Sequence, residues 1–242
     1  MAKHCVGCSG FHYKHWKGIF YPDGLPQRKW FDFYQEHFNT LELNVTFYKF
    51  PRLEYLESWY ERSPDDFSFS VKVPKAITHF KQFNGTQRML GDFYGTTREG
   101  LKNKLGCVLF QLPPRAKYTE ERLTKILDNI DPNFENVLEF RNETWWNAEV
   151  LERLSANNVA FCGMSHPLYP EEVITNTSTI YYRFHGVPDL YRSPYTLQKL
   201  KRIAKEIKSC TSMKTTYLYF NNDIDGSAVL NAQQMKKLME KK

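Results

Sequence analysis

Short runs in which apolar and other residues alternate recur along the chain. Between them lie longer stretches whose apolar residues return every three or four positions. The alternating runs cover residues 3–9, 40–45, 67–73, 107–112, 136–141, 159–164, 179–185 and 215–221. Each is short and rich in β-branched or aromatic residues, which predicts a strand. Trp30, Phe31, Tyr34 and Phe38 fall at helical spacing within 27–38, and Leu53, Leu56 and Tyr60 do so within 53–61. Leu123, Ile126, Leu127 and Ile130 share one face of 119–130, with Thr119 placed to cap it. Segments 148–156, 196–207 and 227–239 read as helices in the same way. Residues 166–178 hold two prolines and no helical period, so the helix after the sixth strand is expected to be short or missing. Residues 74–100 read as a long loop whose KQFNGTQ stretch could form a lid.

Strand–helix repeats imply a parallel sheet. Eight such units in 242 residues predict one α/β domain, residues 1–242, folded as a (β/α)8 TIM barrel. An open doubly wound sheet is the alternative. No GxGxxG and no GxxxxGKS/T follows a strand, which counts against it.

Composition changes this picture little. Hydrophobic residues make 41% and charged residues 25%, an ordinary globular balance. Aromatics at 16% are many, and some are expected to line a pocket. The net charge of +6 sits partly at the end, in Lys236, Lys237, Lys241 and Lys242. It suits a phosphate or nucleic-acid ligand and equally a solvated surface. The chain opens MAKHCVGCSG, without an apolar signal region, and no run approaches the roughly 18 apolar residues of a membrane span. A cytoplasmic protein with no membrane partner is therefore expected. Cys5 and Cys8 form a CxxC, yet no second CxxC completes a zinc site and the pair lies in a strand pattern. Buried free thiols in a reducing compartment are the simpler reading of all five cysteines.

The strand alternation also carries the candidate chemistry. Side chains alternate between faces, and polar residues near a barrel strand's carboxyl end face the active-site mouth. Glu42 and Asn44 oppose Leu41, Leu43 and Val45; Lys72 opposes Val71 and Val73. Gln111, Glu139, Arg141, Arg183, His185, Tyr219 and Asn221 alternate with apolar neighbours in the same sense, and Ser9 ends the first strand. Unpaired buried charge is costly, so these groups must pair with one another or meet solvent and ligand. Glu42 and Glu139 could serve as base and acid, His185 as a proton shuttle, and Lys72, Arg141 and Arg183 as partners of an anion. Glu139 opposite Arg183 is one plausible ion pair. A divalent metal on Glu42, Glu139 and His185 is conceivable, but the adjacent cations oppose it.

The runs VGCSGFHYKHWKGIFYP (6–22), LELNVTFYKFP (41–51), KVPKAITH (72–79), KLGCVLFQLPP (104–114), LEFRNETWW (138–146), YYRFHG (181–186) and YLYFNNDIDGSAVLNA (217–232) resemble the YecE-like family, number 72 among the domains of unknown function. The resemblance covers essentially the whole chain in order. It implies a TIM barrel and supplies no activity. The matched motifs contain Glu42, Asn44, Tyr48, Lys72, His79, Gln111, Glu139, Arg141, Arg183, His185, Asn221, Asn222 and Asp223. Two departures stand out. Cys8 and Phe11 replace residues of the family's usual TSGW, and Ser165 and His166 stand where relatives commonly carry Asp.

Three functions are compatible with this reading. One is an enzyme using acid–base chemistry on a small phosphorylated, sugar-like or nucleotide substrate. Another is a nucleic-acid-binding or repair barrel of the endonuclease IV type, favoured by the cations and by Trp16, Trp145 and Trp146, but lacking that type's dense His/Asp/Glu metal cluster. The third is a ligand-binding barrel without catalysis. No particular cofactor is implied, and the oligomeric state is not legible.

Overall fold

The structure is a computed structural model in which residues 2–240 are described. Lys241 and Lys242 of the expected basic tail lie outside the described residues. In chain order the elements are β1 (Lys3–Cys8), α1 (Trp30–His37), β2 (Thr40–Leu43), α2 (Val45–Tyr48), α3 (Leu53–Arg62), β3 (Ser68–Lys72), α4 (Gln87–Leu101), β4 (Leu105–Gln111), α5 (Glu120–Asn129), β5 (Glu135–Glu139), α6 (Ala148–Ala156), β6 (Ala160–Phe161), β7 (Gly163–Ser165), β8 (Thr179–Phe184), α7 (Leu197–Ser209), β9 (Thr215–Phe220) and α8 (Ser227–Glu240).

The fold is α/β with parallel strand pairing, as the alternation predicted. Closure is a different matter. Hydrogen bonding groups the strands into two sheets, a four-stranded one ordered β1-β9-β8-β7 and a five-stranded one ordered β2-β3-β4-β5-β6. The expected sixth strand divides into β6 and β7, which belong to different sheets. At the break, Cys162 gives its N–H to Leu138 O at 2.9 Å. Gly163 follows, where a Cβ would stand 2.5 Å from Glu172 O and 2.9 Å from the Tyr182 ring, so only glycine passes. The chain forms two compact units, residues 1–42 with 163–242, and residues 43–162.

In the first unit β1 and β9 pair in register from Lys3↔Thr215 to Cys8↔Phe220. Gly7 lets the chain approach closely, because a Cβ there would lie 2.2 Å from Thr40 O. Aromatic side chains fill the core: Tyr21 stacks on Trp30 at 4.7 Å and Phe184 on Phe220 at 4.1 Å. Thr196 caps α7 by accepting from Lys199 N. Residues 166–178 contain no helix, as their prolines suggested. Cys5 and Cys8 are both buried free thiols on β1.

In the second unit, β3, β4, β5 and β6 pair in that order. Phe140 stacks on Trp145 at 4.1 Å, and Thr119 caps α5 by accepting from Arg122 N. Residues 74–100 are not the expected loop. They hold a π-helical turn, Ala76–Lys81, and most of α4. The buried face of α4 is Leu90, Phe93, Tyr94, Thr97, Gly100 and Leu101, a helical period that Gly91 and Gly95 dilute in the sequence. The KQFNGTQ stretch forms the turn between them, with left-handed Gln82, Phe83 and Gly85. No helix of the described residues is long and apolar enough to cross a membrane.

Candidate functional site

Most strands stop one or two residues before the alternation does. Ser9, Asn44, Arg141, His185 and Asn221 therefore lie just past a strand's carboxyl end. Asn44 precedes α2 and points its Oδ1 at no hydrogen-bond partner.

In the first unit Glu42 is fully buried and its carboxylate is saturated. It accepts from Ser9 Oγ at 2.9 Å, Arg183 Nε at 3.0 Å, Arg183 Nη2 at 2.8 Å and Tyr181 OH at 3.3 Å. Arg183 is 1% exposed. Arg183 thus pairs with the carboxylate of Glu42. Tyr219 shares a 2.5 Å hydroxyl contact with Thr40. His185 is buried, 3.2 Å from Asn221 Nδ2 and beside the rings of His166 and Tyr191. Asn222 is buried and donates to Ser193 O and Asn231 Oδ1. Ser165 donates to Glu171, which Lys199 and Arg202 also engage. Asp223 accepts from Trp16 Nε1 at 2.7 Å and faces His15 Nε2 at 3.1 Å. Burial pushes the Asp223 carboxyl up to about 6, against the opposing pull of Trp16 and His15.

In the second unit Glu139 is fully buried and accepts from Arg141 Nε, one of the two outcomes the alternation allowed for a buried charge. Lys72 Nζ donates to Gln111 Oε1 at 2.7 Å and lies 4.2 Å over the Phe47 ring. His79 packs its edge on Phe47 at 5.1 Å and pairs Nδ1 with Thr78 Oγ1 at 2.9 Å. Its pKa falls to about 4, first through desolvation, then through the charges of Lys72, Arg115, Lys75 and Arg141. Tyr48 is 68% exposed, as is Phe80, and Lys75 Nζ lies 5.2 Å over the first ring and 5.6 Å over the second.

The structure thus brings Ser9, Glu42 and Arg183 together, His185 with Asn221, Lys72 with Gln111, and Glu139 with Arg141. Sequence reading missed His15, Lys75 and Arg115. Each sits within or one residue past a quoted motif, HYKHW, KVPK or FQLPP, but none lies on a strand, where the alternation could find it. Among the described residues no three His, Cys, Asp or Glu side chains converge to hold a metal ion.

The profile of a family described as "Protein of unknown function DUF72" matches residues 5–242. The chain belongs to that family. It is 27% identical to the UPF0759 protein YunF of Bacillus subtilis, over 91% of this chain and 90% of YunF. It is 31% identical to the UPF0759 protein YecE of Escherichia coli, over 49% of this chain and 47% of YecE. Among solved structures, a DUF72 family protein of Thermotoga maritima superposes with a TM-score of 0.90 at 28% identity, covering 99% of this chain and all of its own. One from Enterococcus faecalis gives 0.84 at 19% identity over 99% of this chain and 96% of its own, a likeness of fold. These relatives carry the family name and no reaction.

Proposed function

We propose that this DUF72 protein binds a small phosphorylated ligand at the carboxyl ends of β3, β4 and β5 and acts on it by acid–base chemistry. The observation that carries the reading is the charge around His79. Lys72, Lys75, Arg115 and Arg141 all bear on this ring, and the nearby carboxylate of Glu139 is committed to Arg141. An anion bound beside the ring would be drawn to this gathering of positive charge. Arg141 is held by Glu139, which fixes where its charge lies. Lys72, steered by Gln111, and the neutral His79 are the groups able to move a proton. The open rings of Tyr48 and Phe80 favour a ligand with a flat ring, a nucleotide in particular. In this reading Glu42 is an anchor of the first unit. The closed (β/α)8 barrel remains a proposal of the same kind, supported by the alternation of parallel strands and helices in each unit.

Calorimetry with inorganic phosphate, pyrophosphate and adenosine monophosphate at two ionic strengths tests this. Binding should weaken with salt. Lys75→Ala and Arg115→Ala, both outside the buried pairs, should each weaken it roughly tenfold, the worth of a charged hydrogen bond. No binding, or equal binding by both variants, overturns the reading. Binding without turnover of any phosphate ester points to the non-catalytic alternative. Exposed rings beside cations also suit single-stranded nucleic acid, and a steep loss of oligonucleotide binding with salt would favour that partner instead.

A further inference from the structure

The first unit holds a second arrangement, independent of the anion site. We propose that His15, oriented by Asp223, is a catalytic base and acid that opens and closes the ring of a hemiacetal sugar at the carboxyl ends of β1 and β9. These strands are paired neighbours whose ends align at Cys8↔Phe220. Ligands of parallel α/β sheets gather at such ends. Asp223 lies three residues beyond β9, and the segment after β1 carries His15 back to it. The two motifs HYKHW and FNNDIDG, far apart in sequence, thus form one site.

The geometry of the dyad is specific. Trp16 is wholly buried and pins Asp223 Oδ1 at 2.7 Å, which leaves Oδ2 facing His15 Nε2 at 3.1 Å. A carboxylate accepts a hydrogen bond from the imidazole N–H it faces, so the neutral ring carries its hydrogen on Nε2 and its lone pair on Nδ1. The Asp223 side chain is 11% exposed and that of His15 41%, so the orienting group is sheltered and the ring is open. Tyr13 flanks the ring at 5.4 Å, a flat apolar wall of the kind sugars pack against. Gly226, with φ +74°, adds no side chain beside Ile19 and His15. The other ionisable groups near Asp223 are Cys8, Tyr13 and Tyr21. Burial holds all three protonated, reinforced by the Asp223 charge, while Glu42 and Arg183 also act on Tyr13. Asp223 itself titrates near 6, so it is available as a carboxylate at neutral pH. Lys14 and Lys17 are exposed on either side of His15 in the chain and favour a sugar that carries phosphate.

The step balances with one proton carrier. The anomeric O–H gives its proton to Nδ1, the carbonyl forms, and the ring C–O bond breaks with its electron pair going to the ring oxygen. The imidazolium, its Nε2–H still donated to Asp223, returns the proton to that oxygen. Closure on the other face of the carbonyl completes anomer exchange.

Saturation-transfer NMR of glucose 6-phosphate and ribose 5-phosphate with the full chain measures anomer exchange directly. The rate should rise in proportion to protein, and His15→Gln should remove at least about a hundredfold of the increment, the usual weight of a general base. Imidazole 15N shifts should show the Nε2–H tautomer in wild type. Circular dichroism checks that the half-open His15 site tolerates glutamine without loss of fold. No acceleration of either sugar, an unchanged rate in His15→Gln, or an Nδ1–H tautomer each overturns the proposal. Phosphate binding by the second unit is unaffected by any of these results.

Discussion

Replacing Arg183 by methionine removes the cationic side of the buried pair in the first unit. Glu42 is wholly buried and Arg183 is 1% exposed, so neither charge is screened by water. The substitution keeps much of the side chain's bulk and removes the contacts at 2.8 and 3.0 Å, leaving the carboxylate with Ser9 Oγ at 2.9 Å and Tyr181 OH at 3.3 Å. Two charge-assisted hydrogen bonds at about 1.5–3 kcal/mol each give a loss of roughly 3–6 kcal/mol. The usual cost of breaking one side of a buried ion pair, about 3–5 kcal/mol, agrees. In a chain of this size that lowers Tm by roughly 6–20 °C. The double variant Glu42→Leu with Arg183→Met should recover most of the loss, because an apolar pair of similar volume restores balance. Urea denaturation followed by circular dichroism measures all three chains. A single variant within about 1 kcal/mol of wild type, the range of a solvated surface pair, refutes the reasoning. So does a double variant no more stable than the single one.

Two titrations yield further predictions. The Asp223 carboxyl is raised to about 6, above its unfolded value, so its burial favours the protonated form and stability is lost as pH rises from about 4 to 6. Asp223→Asn should remove that slope and gain up to about 3 kcal/mol at pH 7, measured by denaturation across this window; an unchanged slope refutes it. His79 is lowered to about 4, so an anion that relieves the surrounding positive charge brings proton uptake with it. Sulfate, whose own charge is constant, should bind more tightly as pH falls from 6.5 towards 4, and calorimetry of His79→Gln should show that dependence gone.

Much of the fold was legible because it rests on local periodicity. The α6 limits 148–156 follow from Val150 and Leu154, with Asn147 capping the helix through Val150 N. The α4 helix was hidden because Gly91 and Gly95, on its exposed side, lower the helical propensity of the stretch, and turn chemistry at 82–85 drew it towards a loop. The break at Cys162 was hidden for another reason. Six residues of unbroken apolar character look like one strand, and what divides them is the crowding at Gly163, a tertiary fact. For the site, alternation found Glu42, Lys72, Glu139 and Arg183, because direction along a strand is a property of the sequence. It could not pair them. Partner choice depends on which strands are neighbours, and so the Glu42–Arg183 and Glu139–Arg141 pairs were not read from the sequence.

The two kinds of polar residue separate by position, and that separation bears on function. Within the strands, Glu42, Arg183 and Glu139 are buried, and their carboxylates are satisfied by guanidinium groups. A charge compensated in this way is costly to disturb and has little freedom to exchange a proton with a ligand. Beyond the strand ends the rule changes. His15 is half open, Lys75 is half-buried, Arg115 is exposed, and Asp223 is pinned by a buried tryptophan that leaves its second oxygen to the imidazole. These groups sit where water or a substrate completes their hydrogen bonding. The strand pairs are therefore expected to govern stability, and the residues one to seven positions past a strand end to govern ligand response. A protein built this way can exchange its strand-end residues without losing its fold. The same logic extends to Ser165 at the end of β7. Ser165 ends β7 with its hydroxyl given to Glu171, a carboxylate that the strap of residues 166–178 carries back to the strand. That carboxylate is held in turn by Lys199 and Arg202 of α7.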